Sequence, residues 1–216
     1  MSRRKIDLGD LRSLRPVSTV FGQDRGTTIR RYYIERFLSR ERAAIRGRVL
    51  EIGDDRYARS YGQPGTAIDV LDPDPRSTKA TVIADLVTGQ GMPSDRFDAV
   101  ILTQVLHVLS DMEAGLRTVA RSLRPGGSVL ATLPCVSQVS RYDMERWGDF
   151  WRVTDRGART LFEKSFAADR IAVTAYGNVL TAIASLAGLA AEELESEELD
   201  TADPDYQVLI GIHARK

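Results

Sequence analysis

Acidic side chains recur in this 216-residue chain wherever a short apolar run stops. In VLEIGDDRYAR (49–59), Glu51, Asp54 and Asp55 surround Gly53, and the two later glycines that a dinucleotide turn carries are replaced by Asp55 and Tyr57. AIDVLD places Asp69 to Asp72 at the close of a second run, VIADL ends on Asp85 and Leu86, and Thr103, Gln104 and His107 follow a fourth. Gly53 permits a tight turn and close backbone approach, and Asp69, eighteen residues past Glu51, sits near the spacing at which an acid accepts the hydroxyls of a ribose. Each acid alone reads as a solvated loop carboxylate. Acids at successive strand ends converge on one crevice, because an open parallel sheet binds its ligand beyond the carboxyl ends of its strands. Asp54 and Asp55 would repel a pyrophosphate at the first helix N-terminus, so a phosphate-linked cofactor is disfavoured. A nucleoside-like group with an uncharged linker, or one cationic at its reactive atom, tolerates them, and an adenosyl sulfonium fits that description.

The elements that must hold these turns alternate. TIRRYYIERFLSR (28–40) puts Ile29, Tyr33 and Phe37 on one helical stripe. GRVLEIG and GTAIDVLD are apolar runs bounded by glycine, ATVIADL (80–86) and FDAVILTQVL (97–106) continue the series, and SVLATLP adds a fifth, all with the look of buried parallel strands. Ser110 and Glu113 have the spacing of a capping box, Met112, Leu116, Val119 and Leu123 line the helix behind it, and RPGG (124–127) stops that helix. A helix near 155–165, a strand near 169–176, a helix through VLTAIASLAGLAAEEL and a last strand YQVLIGIHA complete a Rossmann-like α/β pattern. It predicts a doubly wound, mostly parallel seven-stranded sheet with helices on both faces.

Composition narrows the function. Thirty basic and thirty acidic residues cancel, which argues against nucleic-acid binding through bulk charge. The charges are unevenly placed: residues 1–48 hold thirteen Lys or Arg against five acids, and 192–205 hold eight acids and no base. Two solvated faces that partly neutralise each other account for this, with contact between the basic part and an anionic substrate as the alternative. No apolar run reaches the roughly 18 residues of a membrane span, and the start MSRRKIDLGDLRSLRP lacks a leader's apolar stretch, so a cytoplasmic protein without membrane contact is expected. Cys135 is the single cysteine, which leaves no internal disulfide and no Cys-based metal cluster, and it reads as a small buried residue rather than a nucleophile.

VLEIG, AIDVLD, IADL, FDAVILTQVLHVLSD and LRPGGSVLATLP, in this order and at these separations, resemble the class I S-adenosylmethionine-dependent methyltransferases over roughly residues 27–213. The resemblance implies S-adenosyl-L-methionine as cofactor. It assigns Glu51 and Gly53 to the methionyl side, Asp69 to the ribose, Asp85 with Leu86 to the adenine, and Thr103 with Gln104 to the neighbourhood of the sulfonium. Only Glu51 and Gly53 of the family's glycine-rich loop are kept, so Asp55 and Tyr57 are expected to take over by side-chain hydrogen bonds. The flanking segments FGQDRGTTIRRYYIERFL and SQVSRYDMERWGDFWRVT resemble a bacterial subgroup associated with sugar and secondary-metabolite tailoring. One methyltransferase domain over 1–216 is expected, with 1–48 a helical extension or lid, 49–134 the cofactor-binding half and 135–216 the substrate-facing half.

Methyl transfer needs positioning above all, and a base where the acceptor must lose a proton. His107, just past the fourth strand, is the leading candidate, competing with a packed structural role; Tyr142 and Asp143 are the alternatives, and His213 in the last strand reads as structural. Residues 138–152 mix Tyr142, Trp147, Phe150 and Trp151 with charged side chains, which suits a small polar acceptor with a flat apolar face. Stacking on RNA bases is the weaker reading at zero net charge. Phe21, Arg25 and Tyr32 are expected as contacts if the N-terminal segment folds over the cofactor as a lid. The expected activity is methylation of O or N of a small metabolite, in a monomer or homodimer; a non-catalytic partner or scaffold of the same fold is the runner-up, and an NAD-dependent oxidoreductase a third option.

Overall fold

Central strands with long apolar runs must bury both faces, and the computed structural model, which describes residues 9–216, shows how. The basic start, expected to lack a leader, lies outside the described residues over 1–8. The elements are α1 (Ile29–Arg40), β1 (Arg48–Ile52), α2 (Arg56–Tyr61), β2 (Ala67–Asp72), β3 (Val82–Ile83), β4 (Phe97–Thr103), α3 (Met112–Ser122), β5 (Leu123–Pro134), α4 (Arg141–Arg146), α5 (Asp155–Phe162), β6 (Ile171–Tyr176), α6 (Val179–Ala187), α7 (Ser196–Asp200) and β7 (Leu209–Arg215). One seven-stranded sheet runs β3-β2-β1-β4-β5-β7-β6. All neighbours are parallel except β7, which is antiparallel to both β5 and β6.

Alternation along each strand divides the core in two. Leu50, Val100, Leu102, Val129 and Ile212 pack with Leu116 and Val119 of α3 and Phe162 of α5 on one face. Val49, Ala99, Ile101, Leu130 and Leu209 pack with Ile29, Tyr33 and Phe37 of α1 and Ala182 of α6 on the other. Helices therefore cover both faces, as the apolar runs predict.

Three local expectations change. The third run shrinks to Val82–Ile83, because the chain turns away at Ala84 and Asp85, where Asp85 N–H bonds Gln90 O at 3.0 Å. The N-cap of α3 is Asp111, whose carboxylate accepts Ala114 N–H at 2.9 Å; Ser110 is one residue too early. RPGG does not separate helix from strand but forms a bulge inside β5, where the register jumps from Phe97↔Leu123 to Ala99↔Ser128.

The N-terminal segment is held against the acidic C-terminal part of the chain. Arg25 donates from Nε to Glu193 at 2.9 Å, and Tyr32 hydroxyl donates to Asp200 at 2.7 Å, with Arg36 paired to the same carboxylate. Thr27 N–H donates to Glu192 at 2.9 Å. The basic and acidic ends of the chain thus neutralise each other, through exposed pairs that contribute little to stability singly. Among the described residues no helix is long and apolar enough to cross a membrane.

Candidate functional site

A cavity of about 440 Å³ opens at the carboxyl ends of β1 to β4. Gly53 lines it after β1, Asp72 and Pro73 at the end of β2, Asp85 to Val87 after β3, and Thr103 to Val105 at the end of β4, with Asp143 and Trp147 of the post-β5 segment closing one side. Among the lining residues are three carboxylates and no Lys, Arg or His. Asp72 Oδ1 accepts Asp74 N–H at 2.9 Å and Asp85 Oδ1 accepts Thr88 N–H at 2.8 Å, so each turn aims its own acid. Their second oxygens, and the whole Asp143 carboxylate, make no hydrogen bond among the described residues.

The first turn works through its backbone. Gly53 takes φ +83°, a left-handed conformation that glycine adopts without a Cβ penalty, and its N–H bonds Leu71 O at 2.8 Å. Glu51, 2% exposed, does not reach the cavity. Its two oxygens accept Tyr57 N–H at 3.1 Å and Ala58 N–H at 2.7 Å, the orphan donors of the first turn of α2. Burial pushes its carboxyl up to about 7, against the pull of those two backbone donors. Glu51 is a positioning residue for the loop rather than a direct contact. The expectation that Asp55 and Tyr57 replace the missing glycines is corrected: Asp55 pairs with Arg59 one helical turn on, and Tyr57 packs beside Tyr61 against the α1 core, because α2 begins at Arg56 and turns both side chains away.

Asp69 is corrected as well. β2 runs on to Asp72, so Asp69 lies mid-strand opposite Leu50. It is 6% exposed and accepts bonds from Arg48 Nη2 at 3.2 Å and Thr81 Oγ1 at 2.8 Å. Burial alone would raise its carboxyl, but these bonds and the charges of Arg48 and Arg96 hold it below the usual range. Asp72, three residues later, occupies the place expected of Asp69. Its signal in the sequence is the proline that follows at 73, which ends the strand.

Leu86, buried, and the expected sulfonium neighbours Thr103 and Gln104 all line the cavity. Gln104 is a non-glycine residue at φ +54°, held there by its N–H to Thr132 O at 3.1 Å and its side-chain amide to Thr132 Oγ1 at 3.3 Å. Such strain persists only where surrounding bonds enforce it, and it concentrates at ligand sites.

Of the three candidate bases, only Asp143 reaches the cavity. Tyr142 is 60% exposed on the outer side of α4, its ring beneath the Arg146 guanidinium at 3.6 Å. His107 is 4% exposed in a 3-10 turn behind the wall, with no hydrogen-bond partner for Nδ1. Burial lowers its pKa to about 4, so the ring is neutral near pH 7, and its place behind the wall keeps it from the role expected of it. A histidine depressed in the fold favours the native state above its ordinary pKa and loses that contribution as the unfolded chain protonates. Stability should fall by about 3 kcal/mol as pH drops from 6.5 towards 4. Urea midpoints measured across that range should show a shallower slope for His107→Gln; equal slopes would reject this origin.

A polar cluster beside His107 fixes the post-β5 segment. Asp149, with a fully buried side chain, accepts Arg152 Nη2 and Ser140 N–H, each at 2.8 Å. Phe150 N–H bonds His107 O at 3.0 Å, and Trp151 Nε1 donates to Leu109 O at 2.8 Å. Arg30 of α1 donates to Ser137 Oγ at 2.9 Å, and burial together with Arg152 lowers its pKa to about 10. Trp147 and Phe150 stay more than half exposed, an aromatic rim beside the cavity mouth. Of the expected lid contacts, Phe21 stacks under Arg30 at 4.3 Å, and none of Phe21, Arg25 and Tyr32 lines the cavity. Cys135 is half-buried against the core, and burial raises its thiol pKa.

The sequence profile of a family described as methyltransferase domain matches residues 27–169. No curated protein matches the chain. Among solved structures, a SAM-dependent methyltransferase from Archaeoglobus fulgidus is similar at 13% identity and TM-score 0.55, covering 86% of this chain and 94% of that one. N-methyltransferase NodS from Bradyrhizobium japonicum WM9, in complex with S-adenosyl-L-homocysteine, is similar at 16% identity and TM-score 0.51, covering 89% and 90%. A possible histamine N-methyltransferase from Thermotoga maritima is similar at 17% identity and TM-score 0.52, covering 87% and 93%.

Proposed function

Because the chain belongs to the methyltransferase domain family, we propose that it transfers the methyl group of S-adenosylmethionine to oxygen or nitrogen of a small polar metabolite in the cavity bounded by Asp72, Asp85, Asp143 and Trp147. The observation that carries this reading is the charge of that cavity: three carboxylates and no basic side chain at the carboxyl ends of a parallel sheet. Such a lining repels phosphate and favours a ligand whose charge is positive. Its volume lies within the usual range for small-molecule sites.

When bound, S-adenosylmethionine supplies an electrophilic methyl group on a sulfonium. Asp72 would accept the ribose hydroxyls, and Asp85 with Leu86 would border the base. Gly53 lets the backbone approach the methionyl part, with its turn held by Glu51. The Asp143 carboxylate makes no hydrogen bond among the described residues and would take the proton that a hydroxyl or ammonium acceptor gives up. Trp147 beside it offers a flat apolar face to the rest of the acceptor. The aromatic and charged mix of 138–152 supports a sugar-like or amino-acid-derived compound as substrate, and the fold resemblance to NodS and the Thermotoga protein is compatible with an amine.

Calorimetric titration of the full chain with S-adenosylhomocysteine tests the cofactor half of this reading. A dissociation constant on the order of micromolar is expected. Absence of heat from a folded sample would overturn it and leave a non-catalytic protein of the same fold.

A further inference from the structure

We propose that Ser128, His213 and Glu41 form a second reactive site, at the opposite end of the sheet, which cleaves small carboxylic esters bearing an anionic group. Ser128 lies where β5 resumes after its bulge, His213 on β7, and Glu41 just past the end of α1. Ser128 Oγ is 3.0 Å from His213 Nε2, and Glu41 Oε2 is 2.9 Å from His213 Nδ1. An ionised carboxylate only accepts, so Nδ1 must carry the proton; Nε2 of the neutral ring is then left to accept from the serine hydroxyl. That is the order of groups by which a serine is activated in acyl transfer, and the arrangement is recognised by geometry rather than by chain position.

These groups are not sealed inside the protein. All three border a cleft of about 640 Å³ together with Arg46, Arg215 and the Gly126–Gly127 bulge, clear of the carboxylate cavity. Arg46 and Arg215 form no ion pair among the described residues, which leaves two guanidinium groups at the rim to hold an anionic substituent.

Chemically, Ser128 Oγ attacks the ester carbonyl carbon while His213 Nε2 takes the hydroxyl proton. The bond to the alcohol breaks, and the alcohol leaves with that proton. Water, deprotonated by the same imidazole, then cleaves the acyl-serine, releasing the carboxylic acid and restoring Ser128. Glu41 is a positioning residue that holds the ring and supports its positive charge.

The full chain, shown to be folded by its far-UV spectrum and cooperative melting, is incubated with a fluorophosphonate and mapped by mass spectrometry. One adduct on Ser128 is expected, absent in Ser128→Ala and formed about 100-fold more slowly in His213→Asn. Glu41→Gln should slow labelling about tenfold, and Glu41→Asp, which keeps the carboxylate on a shorter side chain, should restore part of that rate, a pattern that lost packing would not cause. Hydrolysis of 4-acetoxybenzoate should show a lower KM than that of neutral 4-acetoxybenzamide, and Arg46→Gln should erase the difference. No adduct on Ser128 of the folded wild-type chain, or a rate unchanged by His213→Asn, would overturn the site; equal KM values would overturn its preference for anions. Because none of these residues lines the carboxylate cavity, S-adenosylhomocysteine binding should be retained in Ser128→Ala, so failure at one end does not decide the other.

Discussion

Asp72→Ala should weaken S-adenosylhomocysteine binding by about 100-fold, the equivalent of about 3 kcal/mol and of losing one carboxylate's charge-assisted hydrogen bonds. The neighbouring Asp69→Ala should leave affinity within about threefold and act on stability instead, costing about 1–3 kcal/mol as Arg48 and Thr81 lose their acceptor. The contrast follows from strand length. Asp72 pairs with Ile83 at the last rung of β2, where its side chain meets the cavity, and Asp69 is paired three rungs earlier. Calorimetry and urea unfolding on both variants test it together. The reverse pattern, binding lost with Asp69 and kept with Asp72, would place the nucleoside elsewhere.

The second large effect is on turnover. Asp143→Asn should lower kcat for methyl transfer by about 100-fold and leave cofactor affinity within about threefold, because the amide keeps the shape and loses the capacity to take a proton. The check is release of S-adenosylhomocysteine from a panel of amine and alcohol acceptors, wild type against variant. An unchanged kcat would show that Asp143 only shapes the cavity, and a parallel loss of cofactor affinity would show that it belongs to the cofactor's own contacts. His107→Gln supplies the comparison: buried behind the wall, it should alter the pH dependence of stability more than kcat.

Much of this fold is legible in the sequence because its strands bury both faces. Runs such as AVILT and VLATL have no polar face to show, and glycines bound the first two, so existence and order follow directly. Ends are harder to read. AIDVLD contains two acids three residues apart, and apolar patterning does not say which one is the last rung; Pro73 marks Asp72, and the pairing with β3 settles it. The choice of Ser110 over Asp111 fails for the same reason, since both are good caps and one residue of register decides. The roles of Asp55, Tyr57 and His107 depend on which way a short helix or 3-10 turn faces, a property of tertiary packing that a run of five residues does not encode. Asp143 and Trp147, by contrast, stand out as a charged and aromatic pair in a segment without period, and the cavity brings them together.

The position of β7 bears on how the molecule is made. It follows β6 in the chain yet is inserted between β5 and β6, and among the described residues no other strand pairs with β6. While the protein emerges from the ribosome, residues 123–176 can be complete and still leave β5 with a bare edge and β6 with nothing to pair with. Sheet closure waits for residues 209–215. Until then the nascent chain exposes the kind of unpaired backbone that invites association with other chains, so this interval is where a chaperone would matter most.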